Sequence, residues 1–263
     1  MASKLKKLAI IVSGWHYPSG FYEGIANQTI PKGWTVDLFV VSHRDPSYAT
    51  MPNFDPTTKR GKLDATLYKG LATKEEIERL GFNYKEYPND IGDWGNTNQW
   101  LEDNDYKKYD LLLLTHDDNL ILRDDMLLTV CKNMYPDDWL ILSNSVGVPA
   151  GSLRGSFEFF KREMLDLLGG KFDMSQVKMS RVGKYENPTD WGSLYDWNST
   201  VTPLTNLLTE KNLWERVIVF SPIYRISLFV VEGERGLVSS TQASNTAQEE
   251  EGIDWLYQNK IVE

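Results

Sequence analysis

Asp110-Leu-Leu-Leu-Leu-Thr115 runs without a break into His116-Asp117-Asp118-Asn119. An apolar run of this length, ending abruptly in polar residues, predicts a strand buried on both faces, as in parallel sheets covered by helices. Leu8-Ala-Ile-Ile-Val12, closed by Ser13-Gly14, and the stretch Trp139 to Ser143 read the same way. Between the first two runs, Phe21, Ile25 and Ile30 recur at roughly helical spacing before Pro31, and Trp34 to Val41 is a β-branched and aromatic run. This is a βαβ start. Alternating strand and helix over the first 145 residues defines an α/β chain.

The remaining elements are placed by caps and breakers. Thr73 and Glu76 form a capping-box pattern for a helix to Leu80, stopped by Gly81. A helix is expected from about Asp124 to Asn133. Asn53 to Gly70, with its basic Lys59-Arg60-Gly61-Lys62 cluster, reads as a polar surface excursion. In the second half, Gly155-Ser-Phe-Glu-Phe-Phe-Lys-Arg-Glu-Met-Leu-Asp-Leu-Leu-Gly-Gly170 predicts a helix. Ser156 is its N-cap, Phe157, Phe160, Met164 and Leu168 form one stripe, and Gly169-Gly170 stop it. A helix from about Thr202 to Lys211, strands Arg216 to Phe220 and Ile226 to Val231, a mobile loop Gly233 to Thr246 and a short helix Gln248 to Asn259 complete the reading.

The 28 basic and 37 acidic side chains leave a net charge of −9, which gives nucleic acid a low prior as a partner. Small molecules and uncharged polymers fit better, although the Lys59 cluster keeps a nucleic-acid acceptor open. One cysteine, Cys131, excludes an internal disulfide and any zinc site built on several thiolates. The N-terminal apolar run, Leu8 to Val12, is too short for a secretion signal, and no stretch approaches the length of a membrane helix. A cytoplasmic location is expected.

Chemistry points to the acids after the Leu run. Ligands of open parallel sheets bind beyond the C-terminal ends of the strands, where loops diverge. A hard cation such as Mn²⁺ or Mg²⁺ is held there by one or two carboxylates together with phosphate oxygens. Asp117 and Asp118 are therefore candidate metal ligands, the alternative being a solvated acidic turn. A phosphohydrolase His-Asp dyad is disfavoured because the other histidines are only His16 and His43, and no GxSxG, GxGxxG or Walker A pattern occurs.

Three segments carry a family resemblance. Asn89-Asp-Ile-Gly-Asp-Trp-Gly-Asn-Thr-Asn-Gln-Trp-Leu-Glu102 followed by Tyr109-Asp-Leu-Leu-Leu-Leu-Thr-His-Asp-Asp-Asn119 resembles a Gly-and-Asn turn, a helix and a strand ending in a DxD motif. The stretch from Gly155 to Asp173, ending Gly-Gly-Lys-Phe-Asp, is similar to an acceptor-side stretch that ends Gly-Gly-Phe-Asp. Tyr195-Asp196-Trp197 ahead of a helix looks like an acidic catalytic-base motif. Together they resemble the inverting glycosyltransferases of family 2, and the resemblance spans roughly residues 8 to 220. The first two strands end differently here, in Ser13-Gly-Trp-His-Tyr-Pro-Ser-Gly20 and Ser42-His-Arg-Asp-Pro-Ser47.

That resemblance implies a GT-A-like, Rossmann-type mixed sheet with helices on both faces. It implies a nucleotide-sugar half (1–145) continuous with an acceptor half (146–263). The implied activity is metal-dependent transfer of a sugar from a nucleotide diphosphate sugar, a UDP-sugar first among them, to an acceptor hydroxyl with inversion. Donor contacts fall to Ser13, Gly14, Trp15, His43, Arg44, Asn89, Gly92, Asn96 and Asp117. Acceptor contacts fall to Gly155, Phe157, Trp191 and Trp197, and the base is Asp196 or Asp190. Either His116-Asp117-Asp118 or Asp117-Asp118-Asn119 occupies the DxD positions, so the Mn²⁺ or Mg²⁺ ligands are Asp118 and Asp117. A late histidine is absent, so the protein ligands are expected to be aspartates alone. The implied partners are a nucleotide-sugar donor and a glycan or small-molecule acceptor. Trp15, Trp94, Trp191 and Trp197 are placed in loops at the ligand edge, where aromatic faces stack on bases and sugars. Arg154, Arg225 and Arg235 are candidates to neutralise diphosphate. Two rivals stay open: a nucleotidyltransferase acting on a sugar phosphate, and a non-catalytic carbohydrate-binding module.

Overall fold

A computed structural model describes residues 5–42, 44–87, 92–132, 135, 137–144, 146–147, 152–153, 157–175, 197–219, 230–232 and 243–262. The strands are β1 (Lys6–Gly14), β2 (Trp34–Ser42), β3 (Phe82–Glu86), β4 (Leu111–His116), β5 (Asn119–Ile121), β6 (Ile141–Ser143), β7 (Val146–Gly147), β8 (Ser152–Leu153), β9 (Phe157–Lys161), β10 (Val217–Val219) and β11 (Val230–Glu232). The α-helices are α1 (Ser19–Ala26), α2 (Lys59–Tyr68), α3 (Lys74–Arg79), α4 (Gly92–Asp103), α5 (Met126–Cys131), α6 (Arg162–Leu167), α7 (Trp197–Glu210) and α8 (Ala243–Gln258).

Seven strands form one mixed sheet in the order β10-β6-β9-β4-β1-β2-β3. The two continuous apolar runs are its centre. Leu8, Ile10 and Val12 of β1, with Leu111 and Leu113 of β4, enter one apolar cluster, while Ala9, Ile11, Leu112 and Leu114 enter the cluster on the opposite face. Each of these leucines is almost wholly removed from water, worth about 2 kcal/mol apiece. The α/β class and the sheet covered on both faces follow from that double burial.

The order of strands carries functional weight. From β1 the chain steps outward to β2 and β3, then returns to place β4 on the other side of β1. The direction of winding reverses between β1 and β4, so the connections leaving their C-terminal ends separate and open a crevice. Ser13 of β1 lies opposite His116 of β4 at that end.

The expected helix over Phe157–Leu168 is corrected: Phe157–Lys161 is strand β9, antiparallel to both β4 and β6, and only Arg162–Leu167 is helical. The reason is two-sided burial. Phe157 and Phe159 pack into one cluster and Phe160 into the other, a period of two that the stripe of Phe157, Phe160, Met164 and Leu168 concealed. The helix is capped from Lys161, and Ser156 lies outside the described residues.

Asn53–Gly70 also differs from expectation. Lys59–Tyr68 forms α2, capped by Thr58, whose side chain accepts from the Gly61 N–H. Leu63 packs against Ile253 and Leu256 of α8, and Lys59 pairs with Asp254 across the same contact. Arg60 pairs with the fully buried Asp64. Of the basic cluster, Arg60 is spent on a buried carboxylate, while the Lys59–Asp254 pair lies exposed at the surface. The C-terminal helix takes in residues 243–246, which were expected as loop. Helix α7 begins at Trp197, so that residue opens a helix rather than lying in a loop. Cys131 is buried, and burial pushes its thiol up to about 12. Among the described residues no helix is long and apolar enough to cross a membrane.

Helices α1 and α2 meet backbone to backbone at Gly20, where a Cβ would lie 1.7 Å from the Leu67 carbonyl oxygen. Gly20→Ala is expected to lower unfolding free energy by about 3 kcal/mol, because neither backbone can give way without breaking helical hydrogen bonds. A urea-denaturation midpoint measures it.

Candidate active site at the C-terminal edge of the sheet

The β1–α1 loop and the end of β4 are joined by one carboxylate. Asp117 Oδ2 accepts from the backbone N–H groups of Trp15 (2.9 Å), His16 (2.9 Å) and Tyr17 (2.7 Å) and from the Tyr22 hydroxyl (3.1 Å). Three successive N–H groups converging on one anion make a backbone nest, here filled by the protein's own side chain. Asp117 is fully buried. Burial pushes its carboxyl above the ordinary carboxylate range, while His16 and the N–H donors pull the other way. The nest holds Tyr17 at φ 56, a left-handed conformation that a bulky residue adopts only when its surroundings hold it there.

Tyr17 carries the bracing further. Its hydroxyl meets Ser42, at the end of β2, and donates to the Arg44 carbonyl. Arg44 in turn donates from Nε (3.0 Å) and Nη2 (2.7 Å) to the Trp15 carbonyl, and its guanidinium lies 4.3 Å from the Trp15 ring centroid. Trp15 and His16 are half-buried, so the loop presents a braced Trp-Arg platform at the crevice.

On the β4 side, side chains alternate. Asp117 and Asn119 turn inward, and Asn119 Nδ2 donates to the His116 carbonyl at 3.2 Å. His116 and Asp118 keep access to solvent, each 12% exposed, with Nδ1 and Oδ1 3.9 Å apart. Asp117, expected as a metal ligand, spends its Oδ2 on holding the β1–α1 loop. Asp118 remains, with His116 beside it. A carboxylate oxygen and an imidazole nitrogen are donors that Mn²⁺ accepts. Among the described residues no group of three or more His, Cys, Asp or Glu side chains forms a cluster, so a cation here would need ligand oxygens or water to complete its shell.

The other assigned residues divide. Ser13 and Gly14 lie at the end of β1, and a Cβ on Gly14 would come within 2.9 Å of Val40. Gly92 opens α4, where Asn96 is 1% exposed. Phe157, assigned to the acceptor, is instead fully buried in the core against Phe159. Trp94 is likewise core, 4.1 Å from Phe172 between ring centroids, because α4 turns it towards the sheet. His43, Asn89, Gly155, Asp190, Trp191 and Asp196 lie outside the described residues, as do Arg154, Arg225 and Arg235.

Two residues at this edge escaped the sequence reading. Glu158 of β9 is 1% exposed and paired in register with Ser143, which reaches its Oε1 at 3.3 Å. Asn144, just past β6, is fully buried, and among the described residues neither its Nδ2 nor its Oδ1 has a hydrogen-bond partner. Ser143-Asn144 directly after an apolar strand repeats the pattern of His116-Asp117 after the Leu run, and that repetition was the available signal.

No family model matches the chain, and no curated protein matches it. The solved structures it resembles include a mannosyltransferase from Pyrobaculum calidifontis in complex with GDP-Man and Mn²⁺, at 16% identity and a TM-score of 0.49, covering 89% of this chain and 59% of that one. TarS of S. aureus residues 1–349 in complex with UDP-GlcNAc aligns at 15% identity and a TM-score of 0.46, over 90% of this chain and 61% of that one. The catalytic domain of Drosophila β1,4-galactosyltransferase 7 with xylobiose aligns at 11% identity and a TM-score of 0.42, over 95% and 84%. The chain spans less than two thirds of the first two proteins' lengths.

The two aspartates of the doublet should separate experimentally. Asp117→Asn removes the nest's negative charge and sets an amide Nδ2 against the His16 N–H that Oδ1 now receives at 3.1 Å, at an expected cost of about 3 kcal/mol of stability. Asp118→Asn should stay within about 0.5 kcal/mol of the parent. Thermal denaturation of both variants reads the difference.

Proposed function

We propose that this chain is a metal-dependent glycosyltransferase that moves a sugar from a nucleotide diphosphate sugar, a UDP-sugar being the first to test, to an acceptor hydroxyl with inversion. The observation that carries the reading is the division of labour at the switch point between β1 and β4. Asp117 locks the loop that carries Trp15 and is braced by Arg44, and Asp118, with His116, is left partly exposed at the same edge. The motif resemblance around Asp118 and Asp196 supports the same reaction.

Asp118 would hold the cation, with His116 as second donor, in the register His116-Asp117-Asp118. Held there, a cation would supply charge neutralisation for the departing diphosphate. The Trp15 face, kept flat by the Arg44 guanidinium and its two bonds to the Trp15 carbonyl, offers a surface on which a base or a sugar face stacks. The Asp117 nest prevents this loop from rearranging when the ligand enters, so little ordering cost falls on binding. An acceptor hydroxyl is a weak nucleophile. Asp196, or Asp190 in its place, would take its proton, a role assigned by the resemblance alone. Location in the cytoplasm and the two-half division, 1–145 and 146–263, belong to the same reading; β9 and β10 of the second half complete the sheet of the first.

Two measurements test this. With Mn²⁺ and a panel of nucleoside diphosphate sugars, the chain should release the nucleoside diphosphate, and Asp118→Asn should reduce release at least a thousandfold. Release of pyrophosphate would instead identify a nucleotidyltransferase. Asp196→Ala should lower kcat by a hundredfold or more at unchanged donor affinity, and unaltered turnover would move the base to Asp190.

A further inference from the structure

The N-terminal edge of the sheet, at the opposite end of β1 and β4 from His116 and Asp118, carries apolar side chains that the core leaves uncovered. Leu5 is 53% exposed and Ile30 52%, the highest values for large apolar side chains among the described residues. Leu5 directly precedes β1, and Ile30 lies in the connection from α1 to β2. The half-buried Trp34 opens β2. These entries are tied to one another. The Trp34 N–H donates to the Pro31 carbonyl at 3.1 Å, and Gly33, at φ 88, turns its carbonyl to the Lys6 N–H at 2.9 Å. Lys6 then pairs in register with Trp34, and its ammonium lies 5.4 Å from the indole centroid.

Lysines border these apolar groups. Lys6 and Lys7 are exposed at the start of β1, and Lys32 is exposed in the turn before β2. Lys107 and Lys108 are exposed in the turn that leads into β4, on the other side of β1. Carboxylates at this edge are fewer. Asp110 accepts from the Lys7 N–H at 2.9 Å and has Arg162 at 3.8 Å, Asp105 accepts from the Lys107 N–H at 3.1 Å, and Asp124 lies beside Thr29. The whole chain carries −9, so this edge reverses the prevailing sign. At physiological ionic strength exposed charges are screened beyond about 8 Å, so an anionic partner here meets the lysines rather than the net charge.

The side-chain types select the partner. A phosphate gripped at fixed geometry favours arginine, whose planar fork bonds two oxygens at once. The cations bordering Leu5 and Ile30 are lysines, point charges on flexible stems that suit a diffuse layer of negative charge. A polyanion in water leaves Leu5 and Ile30 wet, whereas the boundary of a bilayer withdraws them from water and presents anionic headgroups to the lysines around them.

We propose that the N-terminal edge of β2, β1 and β4 docks on an anionic lipid bilayer, with Leu5 and Ile30 at the boundary of headgroups and acyl chains and the five lysines on the headgroup charge. The nine residues of β1 separate this edge from the His116–Asp118 edge by roughly 26 Å, so docking leaves that edge pointing away from the lipid. The proposal does not depend on the glycosyltransferase reading.

The test is co-sedimentation of the full chain with extruded vesicles, of phosphatidylcholine alone or with about 30% phosphatidylglycerol, at about 0.1 M and 0.5 M NaCl. The chain should bind the mixed vesicles at least tenfold more tightly than the neutral ones at low salt, and lose most of that binding at high salt. Lys6→Glu with Lys32→Glu should weaken binding at least tenfold. Lys62→Glu with Lys74→Glu, the same change in net charge placed on α2 and α3, should stay within about threefold of the parent. Leu5→Ser with Ile30→Ser leaves the charge unchanged and should weaken binding at least fivefold. Circular dichroism checks that each variant folds. Asp118→Asn should bind vesicles as the parent does, and failure of every turnover assay would leave this result standing. The proposal is overturned if the parent does not bind the mixed vesicles, or if the α2 and α3 pair weakens binding as much as the edge pair. It is equally overturned if Leu5→Ser with Ile30→Ser binds as tightly as the parent, or if a single-stranded oligonucleotide binds in place of the vesicles.

Discussion

A single buried carboxylate ties the two central strands of this protein together where its chemistry would take place. Asp117 leaves the end of β4 and receives three consecutive N–H groups of the loop leaving β1, together with the Tyr22 hydroxyl of α1. Removing such an anion from water costs several kcal/mol, and only a full set of donors makes the burial tolerable. The loop's own backbone supplies that set, so the charge cannot be kept without the loop geometry, nor the geometry without the charge. Tyr17, Ser42 and Arg44 extend the dependence to β2, and the Trp15 ring is the last member of the chain.

This arrangement explains why two adjacent aspartates cannot do the same work. Asp117 is fully buried, while His116 and Asp118 on either side of it keep partial exposure. A doublet read only as paired acids suggests two ligands for one cation. In three dimensions one acid is spent on holding the loop, and its neighbour keeps a share of solvent exposure.

The centre of the fold was legible because its signal is local. Leu8–Val12 and Leu111–Leu114 are apolar at every position, and burial on both faces admits no other reading. Their polar ends lie together at the C-terminal edge of β1 and β4. Phe157–Lys161 was not legible as a strand, since Phe157, Phe160 and Met164 satisfy helical spacing as well as Phe157, Phe159 and Phe160 satisfy strand burial. Only the gap between β4 and β6, a long-range circumstance, decides between them. Helix α2 was missed for a related reason: its buried face, Leu63 and Asp64, is covered by a helix almost two hundred residues later, and a carboxylate paired with Arg60 looks like surface in a sequence. The Asp117 nest could not have been read at all, because its donors are backbone groups, which every residue carries.

The antiparallel strand has a consequence for the edge itself. In a wholly parallel sheet each strand would deliver one outgoing loop to the C-terminal side. Strand β9 enters from that side instead, so β6, β9 and β4 bring an exit, an entry and an exit into adjacent positions. Polar residues from both kinds of connection are then drawn together: Ser143 and Asn144 leaving β6, Glu158 just inside β9, and Thr115 ending β4, none more than 2% exposed. A core built for stability alone would fill these positions with apolar side chains, as it does one turn of the pleat deeper at Ile141, Phe160 and Leu112. The polar layer stops where the apolar one begins, at the edge facing the crevice. Asn144, with both amide atoms unmet among the described residues, marks the greatest departure from what folding requires and lies on the side of β9 away from Asp118. Buried polar groups cost stability unless fully bonded, so this edge of the sheet is less optimised for packing than the apolar layer beside it.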